Sequence, residues 1–209
     1  MSKIRAEICE AGRRLYAKNL IAAAEGNISV RGKNGNIWIT PSGVCKGYMT
    51  PDMLTKVSMD GNIICGRNKP SSEIKMHLRV YQLREDAKAV VHAHPVTATA
   101  LASAGIALDK AYLTENVLSL GIVPVAPFAM PSTDETPDSV TPFVCSHNAI
   151  LLANHGVLCI GKTLTEAVFL AEHTEAAAKT AFIMKLLGAE DKVIPLEKVE
   201  QMSRNFNLY

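Results

Sequence analysis

Val90-Val91-His92-Ala93-His94-Pro95 is the stretch from which the rest of the chain can be read. Its apolar run predicts a strand. Side chains alternate along a strand, so His92 and His94 point to one face and can share a cation. A third histidine stands behind a similar run, where Ala149-Ile150-Leu151-Leu152-Ala153 leads into Asn154-His155-Gly156. Three of the six histidines therefore follow strand-like segments. Imidazole nitrogens suit a borderline ion such as zinc, and catalytic zinc takes three protein ligands and keeps one position open. Any one of these residues reads equally well as a buried or surface histidine; the spacing joins His92, His94 and His155 into a predicted metal site.

The 209 residues suit one domain, 1–209, with ample sequence for a core. Hydrophobic residues make up 48% and the formal charge is +2, which argues against disorder and against a nucleic-acid footprint. Cys9, Cys45, Cys65, Cys145 and Cys159 are odd in number and form no Cys-x-x-Cys, so a reducing compartment is expected. The first residues carry charges every few positions and no signal-like apolar block. No stretch reaches the ~20 apolar residues of a membrane span. The expected location is the cytoplasm, with neither nucleic acid nor membrane as partner.

Outward from the central strand, residues 3–19 predict an amphipathic helix with Ile4, Ile8, Ala11, Leu15 and Tyr16 on one face. Ile28–Arg31 and Ile37–Thr40 read as strands, as do Val57–Met59 and Asn62–Ile64 around Asp60-Gly61. Pro70-Ser71-Ser72-Glu73 opens a helix whose Ile74, His77, Leu78 and Tyr81 recur at helical spacing, with serine as cap. Helices are expected at 96–104, 138–147, Thr163–Leu187 and Glu197–Asn207, and strands at 88–94, Gly121–Ala126, 149–154 and Val157–Ile160. Thr163-Leu164-Thr165-Glu166 is a capping-box pattern, and 106–120 reads either way. The mixture predicts one α/β domain, with strand order left open.

Helix starts and small-residue turns are where anions sit. Ser71 and Ser72, Glu25-Gly26-Asn27 and Thr40-Pro41-Ser42-Gly43 offer such places, although each also reads as an ordinary cap or turn. No P-loop or G-x-G-x-x-G is present. Glu73 fits a salt bridge, a helix-dipole partner or a proton shuttle beside a metal. Lys46, Lys56, Lys69 and Lys75 lie among polar neighbours in sequence, so no lysine recommends itself for a Schiff base.

These stretches together resemble the class II aldolase/adducin family, nearest to its L-fuculose-1-phosphate aldolases. The likeness rests on Gly26-Asn27-Ile28-Ser29-Val30-Arg31, Thr40-Pro41-Ser42-Gly43, Lys69-Pro70-Ser71-Ser72-Glu73, Val90-Val91-His92-Ala93-His94, Val123-Pro124-Val125-Ala126-Pro127 and Asn154-His155-Gly156. The resemblance implies an α/β domain of three layers, with a central, mainly antiparallel sheet flanked by helices. It implies a cytoplasmic homotetramer with active sites between subunits. Zn2+ would be held by His92, His94 and His155, with Glu73 as acid/base. Asn27, Ser42, Gly43, Ser71 and Ser72 would grip the substrate phosphate. The implied reaction cleaves a deoxyketose 1-phosphate, L-fuculose 1-phosphate or similar, through a metal-stabilised enediolate. Its products are dihydroxyacetone phosphate and a short aldehyde resembling L-lactaldehyde.

Two positions depart from the family pattern. The tyrosine that protonates the aldehyde oxygen aligns without gaps on Leu113; Tyr112 is adjacent, and Glu115 resembles the acid/base of methylthioribulose-1-phosphate dehydratases. Met130-Pro131 replaces an aromatic in the loop expected at the aldehyde. Tyr209 resembles a tail tyrosine that closes over the site. A 5-deoxypentulose or methylthioribulose 1-phosphate therefore stays open as substrate, as does the dehydratase reaction. A 4-epimerase is disfavoured by Ser-Ser-Glu73, and a non-catalytic adducin-like domain by the complete triad.

Overall fold

The structure, a computed structural model, describes residues 3–205. Eight strands form one sheet: β1 (Asn27–Arg31), β2 (Ile37–Ile39), β3 (Thr55–Val57), β4 (Ile63–Cys65), β5 (Ala89–Ala93), β6 (Val125–Ala126), β7 (Ala149–Leu152) and β8 (Gly156–Gly161). Their order is β4-β3-β2-β1-β5-β8-β7-β6, antiparallel throughout except between β6 and β7. Seven α-helices are α1 (Lys3–Ala17), α2 (Ile74–Leu83), α3 (Val96–Ser103), α4 (Thr114–Ser119), α5 (Glu135–Val144), α6 (Leu164–Leu186) and α7 (Leu196–Asn205).

Strand alternation sorts the side chains into two cores. Ala89, Val91, Ala93, Leu151, Val157 and Cys159 pack on one face against α1, α3 and α6. Val90, Ile150, Leu158 and Ile160 pack on the other with Met76, Val80 and Tyr81 of α2 and Val140 and Val144 of α5. Layers of helix, sheet and helix result, as expected. The central strands are covered on both faces, which is why they read as continuous apolar runs. Each buried Val, Leu or Ile contributes about 1.5–3 kcal/mol against exposure.

Several boundaries differ from expectation. Gly121–Ala126 shrinks to the two residues of β6, because Pro124 has no amide to donate; Val123 instead forms an isolated bridge with Leu108. α5 begins at Glu135, whose amide donates to the Thr133 hydroxyl, and so precedes the expected start at 138. The β3–β4 hairpin carries a register shift at Lys56/Val57, and 106–120 contains the short α4. Thr163 caps α6 through the Glu166 amide at 3.1 Å, while the Glu166 carboxylate accepts from Lys162 N, one residue before the expected box partner. Among the described residues no helix is long and apolar enough to cross a membrane.

Candidate active site

The register of the sheet assembles the histidines. His92 lies opposite Leu158 of β8, one residue before β5 ends at Ala93, and His94 follows just beyond the strand. His155 sits at the tip of the β7–β8 hairpin, after Asn154 in the left-handed region (φ 56°). Ring centroids lie 4.7 Å apart for His92–His94, 4.6 Å for His92–His155 and 5.1 Å for His94–His155. One nitrogen from each lies within 4.8 Å of the others. Gly156 makes this possible: a Cβ there would fall 2.3 Å from the Ala93 carbonyl oxygen and 2.8 Å from His94 Cδ2.

The chain fixes these rings individually. His92 Nδ1 donates to the Val157 carbonyl at 2.9 Å, so the neutral ring keeps its lone pair on Nε2, facing inward. The His94 amide donates to Leu20 O at 2.9 Å. The helix that follows His94-Pro95 is tied down by Glu175 of α6. This buried carboxylate accepts from Thr97 N, Thr97 Oγ1 and Ala98 N, filling the open amides at the start of α3.

Glu73 immediately precedes α2 and reaches the same point. Its Oε2 is 3.3 Å from His92 Nε2 and its Oε1 3.2 Å from His155 Nε2. Asn27 of β1 donates to Oε2 at 2.8 Å. Burial would raise this carboxyl; His92 and His155 beside it and the Asn27 amide outweigh burial and bring it down to about 2. Burial, with neighbouring imidazoles adding, pushes His94 down to about 3 and His155 to about 4. Three imidazoles thus converge on one another, with His94 Nε2 2.8 Å from His92 Nε2, and two of them face an ionised carboxylate whose Oε1 is buried without a hydrogen-bond partner. Three convergent imidazole nitrogens and an orphaned anionic oxygen form a donor set suited to a divalent cation, so the residues fit a metal such as zinc.

Beside this cluster, Pro41 and Pro70 form an antiparallel bridge, with Ser42 N bonded to Lys69 O and Ser71 N to Thr40 O, both at 3.0 Å. Thr40 Oγ1 accepts from Ile28 N, fastening this pair of turns to β1 next to Asn27. Asn27, Ser42, Gly43, Ser71 and Ser72 are thereby brought together. Asn27 and Ser71 are buried, while Ser42, Gly43 and Ser72 are exposed. Ser71 does not cap α2 directly: its hydroxyl accepts from Glu73 N at 3.3 Å, and the helix begins at Ile74. Gly43 has φ +69° and open space where a side chain would be, leaving room over the turn for an anion.

Other expectations fare differently. Tyr112 donates to Glu190 O at 3.3 Å and lines a cleft with Leu101, Phe182 and Lys185. Glu115 is exposed in the first turn of α4. Within one chain neither makes a hydrogen bond to the cluster, and Tyr209 lies outside the described residues. Met130 is exposed, as is Phe128 two residues earlier, so the loop beside His155 does hold an aromatic. A cavity of about 10 Å³ lined by Pro127, Ala129, Thr136 and His155 joins this loop to the triad. Lys46 is not in polar surroundings: it is 2% exposed, with Nζ donating to Ala24 O and, at 2.8 Å, Val44 O. Packing of α1 over its turn, with Tyr16 against Tyr48 at 5.5 Å, buries it. His77 and Glu175 were not predicted as site supports. The signals available were Glu73, His77 and Tyr81 four residues apart, opposite Asn27, Ser29 and Arg31 two apart.

Comparison with known proteins adds an independent finding. Residues 6–182 match the Class II Aldolase and Adducin N-terminal domain family. A 3-oxo-tetronate 4-phosphate decarboxylase of Pectobacterium atrosepticum is 34% identical over 187 residues, 87% of this chain and 85% of that protein. A 5-deoxy-D-ribulose 1-phosphate aldolase of Bacillus thuringiensis serovar kurstaki is 32% identical over 215 residues, 100% of this chain and 98% of that one. Among solved structures, an L-fuculose 1-phosphate aldolase superposes with TM-score 0.91 at 32% identity, covering 99% of this chain and 97% of its own.

Proposed function

Because the chain belongs to the class II aldolase and adducin family, we propose that it is a cytoplasmic, zinc-dependent aldolase. It cleaves a deoxyketose 1-phosphate to dihydroxyacetone phosphate and a short aldehyde. The observation that carries this reading is Glu73, ionised, held by Asn27 and set 3.3 Å and 3.2 Å from the Nε2 atoms of His92 and His155, two members of the imidazole triad. When bound, a divalent ion held by His92, His94 and His155 supplies Lewis-acid polarisation of the substrate carbonyl. Asn27, Ser42, Gly43, Ser71 and Ser72 hold the phosphate and thereby the carbon chain. In condensation the ionised Glu73 removes a proton from C3 of dihydroxyacetone phosphate; in cleavage the carboxyl, having taken up a proton from solvent, returns it to C3 after the C3–C4 bond breaks. With a metal held by the three histidines, the Glu73 carboxylate would also be able to approach it when no substrate is bound.

A second proton leaves the C4 hydroxyl in cleavage and is delivered to the aldehyde oxygen in condensation, which requires another group. Tyr112 and Glu115 are the candidates, and since both lie away from the cluster of their own chain, they reach it from a neighbouring copy in a homotetramer. Tyr209 closes over the same site. L-fuculose 1-phosphate and 5-deoxypentulose 1-phosphates are the preferred substrates, named by the relatives. Methylthioribulose 1-phosphate, by cleavage or by dehydration, follows.

One observation favours a second reading. A 3-oxo-tetronate 4-phosphate losing CO2 leaves the same enediolate of dihydroxyacetone phosphate, and its ionised carboxylate has no hydroxyl proton to give up, so that reaction needs no second acid/base group. A chain whose own Tyr112 and Glu115 do not reach Glu73 satisfies decarboxylation without further help. The test is a panel of ketose 1-phosphates, together with 3-oxo-tetronate 4-phosphate, given to the zinc-loaded protein with identification of products. Dihydroxyacetone phosphate with an aldehyde supports the aldolase; with CO2, the decarboxylase. A dehydrated sugar phosphate supports the dehydratase. No turnover of any of these would leave the adducin-like, non-catalytic reading.

A further inference from the structure

Glu73, His77 and Tyr81 lie four residues apart, so each is one near-turn, roughly 6 Å, from the next along one face of α2 and its approach. Asn27, Ser29 and Arg31 lie two apart on one face of β1, a spacing of roughly 6.6 Å. The two repeats nearly match, and the side chains interleave. Glu73 meets Asn27 at 2.8 Å, Asn27 meets His77, and His77 Nδ1 meets Ser29 Oγ at 2.7 Å. Ser29 Oγ then meets the Tyr81 hydroxyl at 2.8 Å, and Arg31 lies over the Tyr81 ring at 4.7 Å. Asn27, Ser29, His77 and Tyr81 are buried to 3% exposure or less.

Chemistry allows this chain one direction. An ionised Glu73 only accepts, so Asn27 must present its NH2 to the carboxylate and its oxygen to His77. That oxygen only accepts, so His77 donates from Nε2 and, when neutral, accepts at Nδ1 from the Ser29 hydroxyl. Ser29 in turn accepts from Tyr81. We infer that His77 is a positioning residue for the acid–base group: it locks the Asn27 amide with its N–H toward Glu73. Without it the amide can turn over, setting Asn27 Oδ1 against the carboxylate, two acceptors at hydrogen-bond distance. The second Asn27 N–H remains for the phosphate side, so one amide orientation serves both ends of the substrate. This deepens the reading of Glu73 as the acid/base and rests on it.

The test uses His77→Leu, which removes the link, and His77→Gln, whose amide can donate to Asn27 and accept from Ser29. The first readout is independent of turnover: solvent exchange of the Asn27 side-chain amide protons by NMR in the full chain. They are expected to be protected in the natural protein and in His77→Gln, and exposed in His77→Leu. The second is exchange of the C3 hydrogen of dihydroxyacetone phosphate with deuterated water. In that step the C–H proton passes to Glu73, its electron pair to the carbonyl, and a solvent deuteron returns. His77→Leu is expected to slow it about 10- to 100-fold, the range of a small misplacement of a reacting group, and to raise KM because the same amide faces the phosphate, with His77→Gln restoring most of both. Should His77→Leu fail to fold, Ser29→Ala, which takes the donor from Nδ1, is expected to lower Asn27 protection partially. Unchanged Asn27 protection in the folded variant overturns the inference. A natural protein that leaves dihydroxyacetone phosphate unexchanged overturns the reading of Glu73 instead, while the amide result still decides the role of His77.

Discussion

Replacing Glu175 by alanine tests how the second histidine is held in place. Its Oε1 accepts from Thr97 N at 3.2 Å and Thr97 Oγ1 at 2.9 Å; its Oε2 accepts from Thr97 N at 3.1 Å and Ala98 N at 2.9 Å. Ala98 is fully buried, so its amide would be stranded, whereas half-exposed Thr97 can recruit water in part. Bonds to a charged acceptor are worth about 1.5–3 kcal/mol each, which gives about 3–5 kcal/mol for one full and two partial losses. For a chain of this size that is a fall in Tm of about 6–20 °C. Scanning calorimetry on the metal-free protein reads it directly. His94 precedes this helix by two residues, so zinc affinity by calorimetric titration should weaken in the same variant. Glu175→Gln keeps one accepting oxygen and is expected to lose about half as much. A Glu175→Ala protein melting within about 2 °C of the parent would refute the reasoning, since the capping bonds would then contribute almost nothing.

His94→Ala should leave a folded chain by circular dichroism but abolish stoichiometric zinc binding and turnover; full activity would rule out the triad. Glu73→Gln should lower kcat by roughly 10²–10⁴ while KM and bound zinc change little, and steady-state kinetics with metal analysis decide this. Acid should destabilise the metal-free chain in a defined window. Burial holds His77 at about 3, and burial with neighbouring imidazoles holds His94 at about 3 and His155 at about 4. The unfolded chain therefore takes up protons that the native chain refuses. Stability should be level above about pH 6.5 and fall as pH drops below it, by up to about 1.4 kcal/mol per unit for each such group. Urea titrations from pH 7.5 to 5 measure the slope; a flat profile contradicts it.

The parts of this fold that could be read in the sequence are those where one period dominates. The β5 and β7 runs, the Thr163 cap and the paired histidines each announce themselves within a few residues. The turns at Ser42 and Ser71 were visible as turns, but their bridge depends on Pro41 meeting Pro70 across nearly thirty residues, which no local pattern encodes. His77 was hidden because it occupies an apolar face of α2, and only the opposing polar face of β1 reveals its purpose. Lys46 misled for the same reason: nothing in Val44-Cys45-Lys46-Gly47-Tyr48 announces the burial of its amine, which comes from α1 folding over the turn. Tyr112 and Glu115 lie away from the triad in the folded chain, a separation that no local pattern in the sequence encodes.

The buried amine of Lys46 carries a last consequence. Burial lowers its pKa, so more of it is unprotonated and nucleophilic than in an ordinary lysine, yet no reagent can reach it while the fold is closed. It ties Ala24 to Val44, the two turns that flank Asn27 and Gly43. An acylating agent should therefore mark it late, and only when those turns part. The rate at which Lys46 gains its label becomes a clock for how often the proposed phosphate cradle comes open.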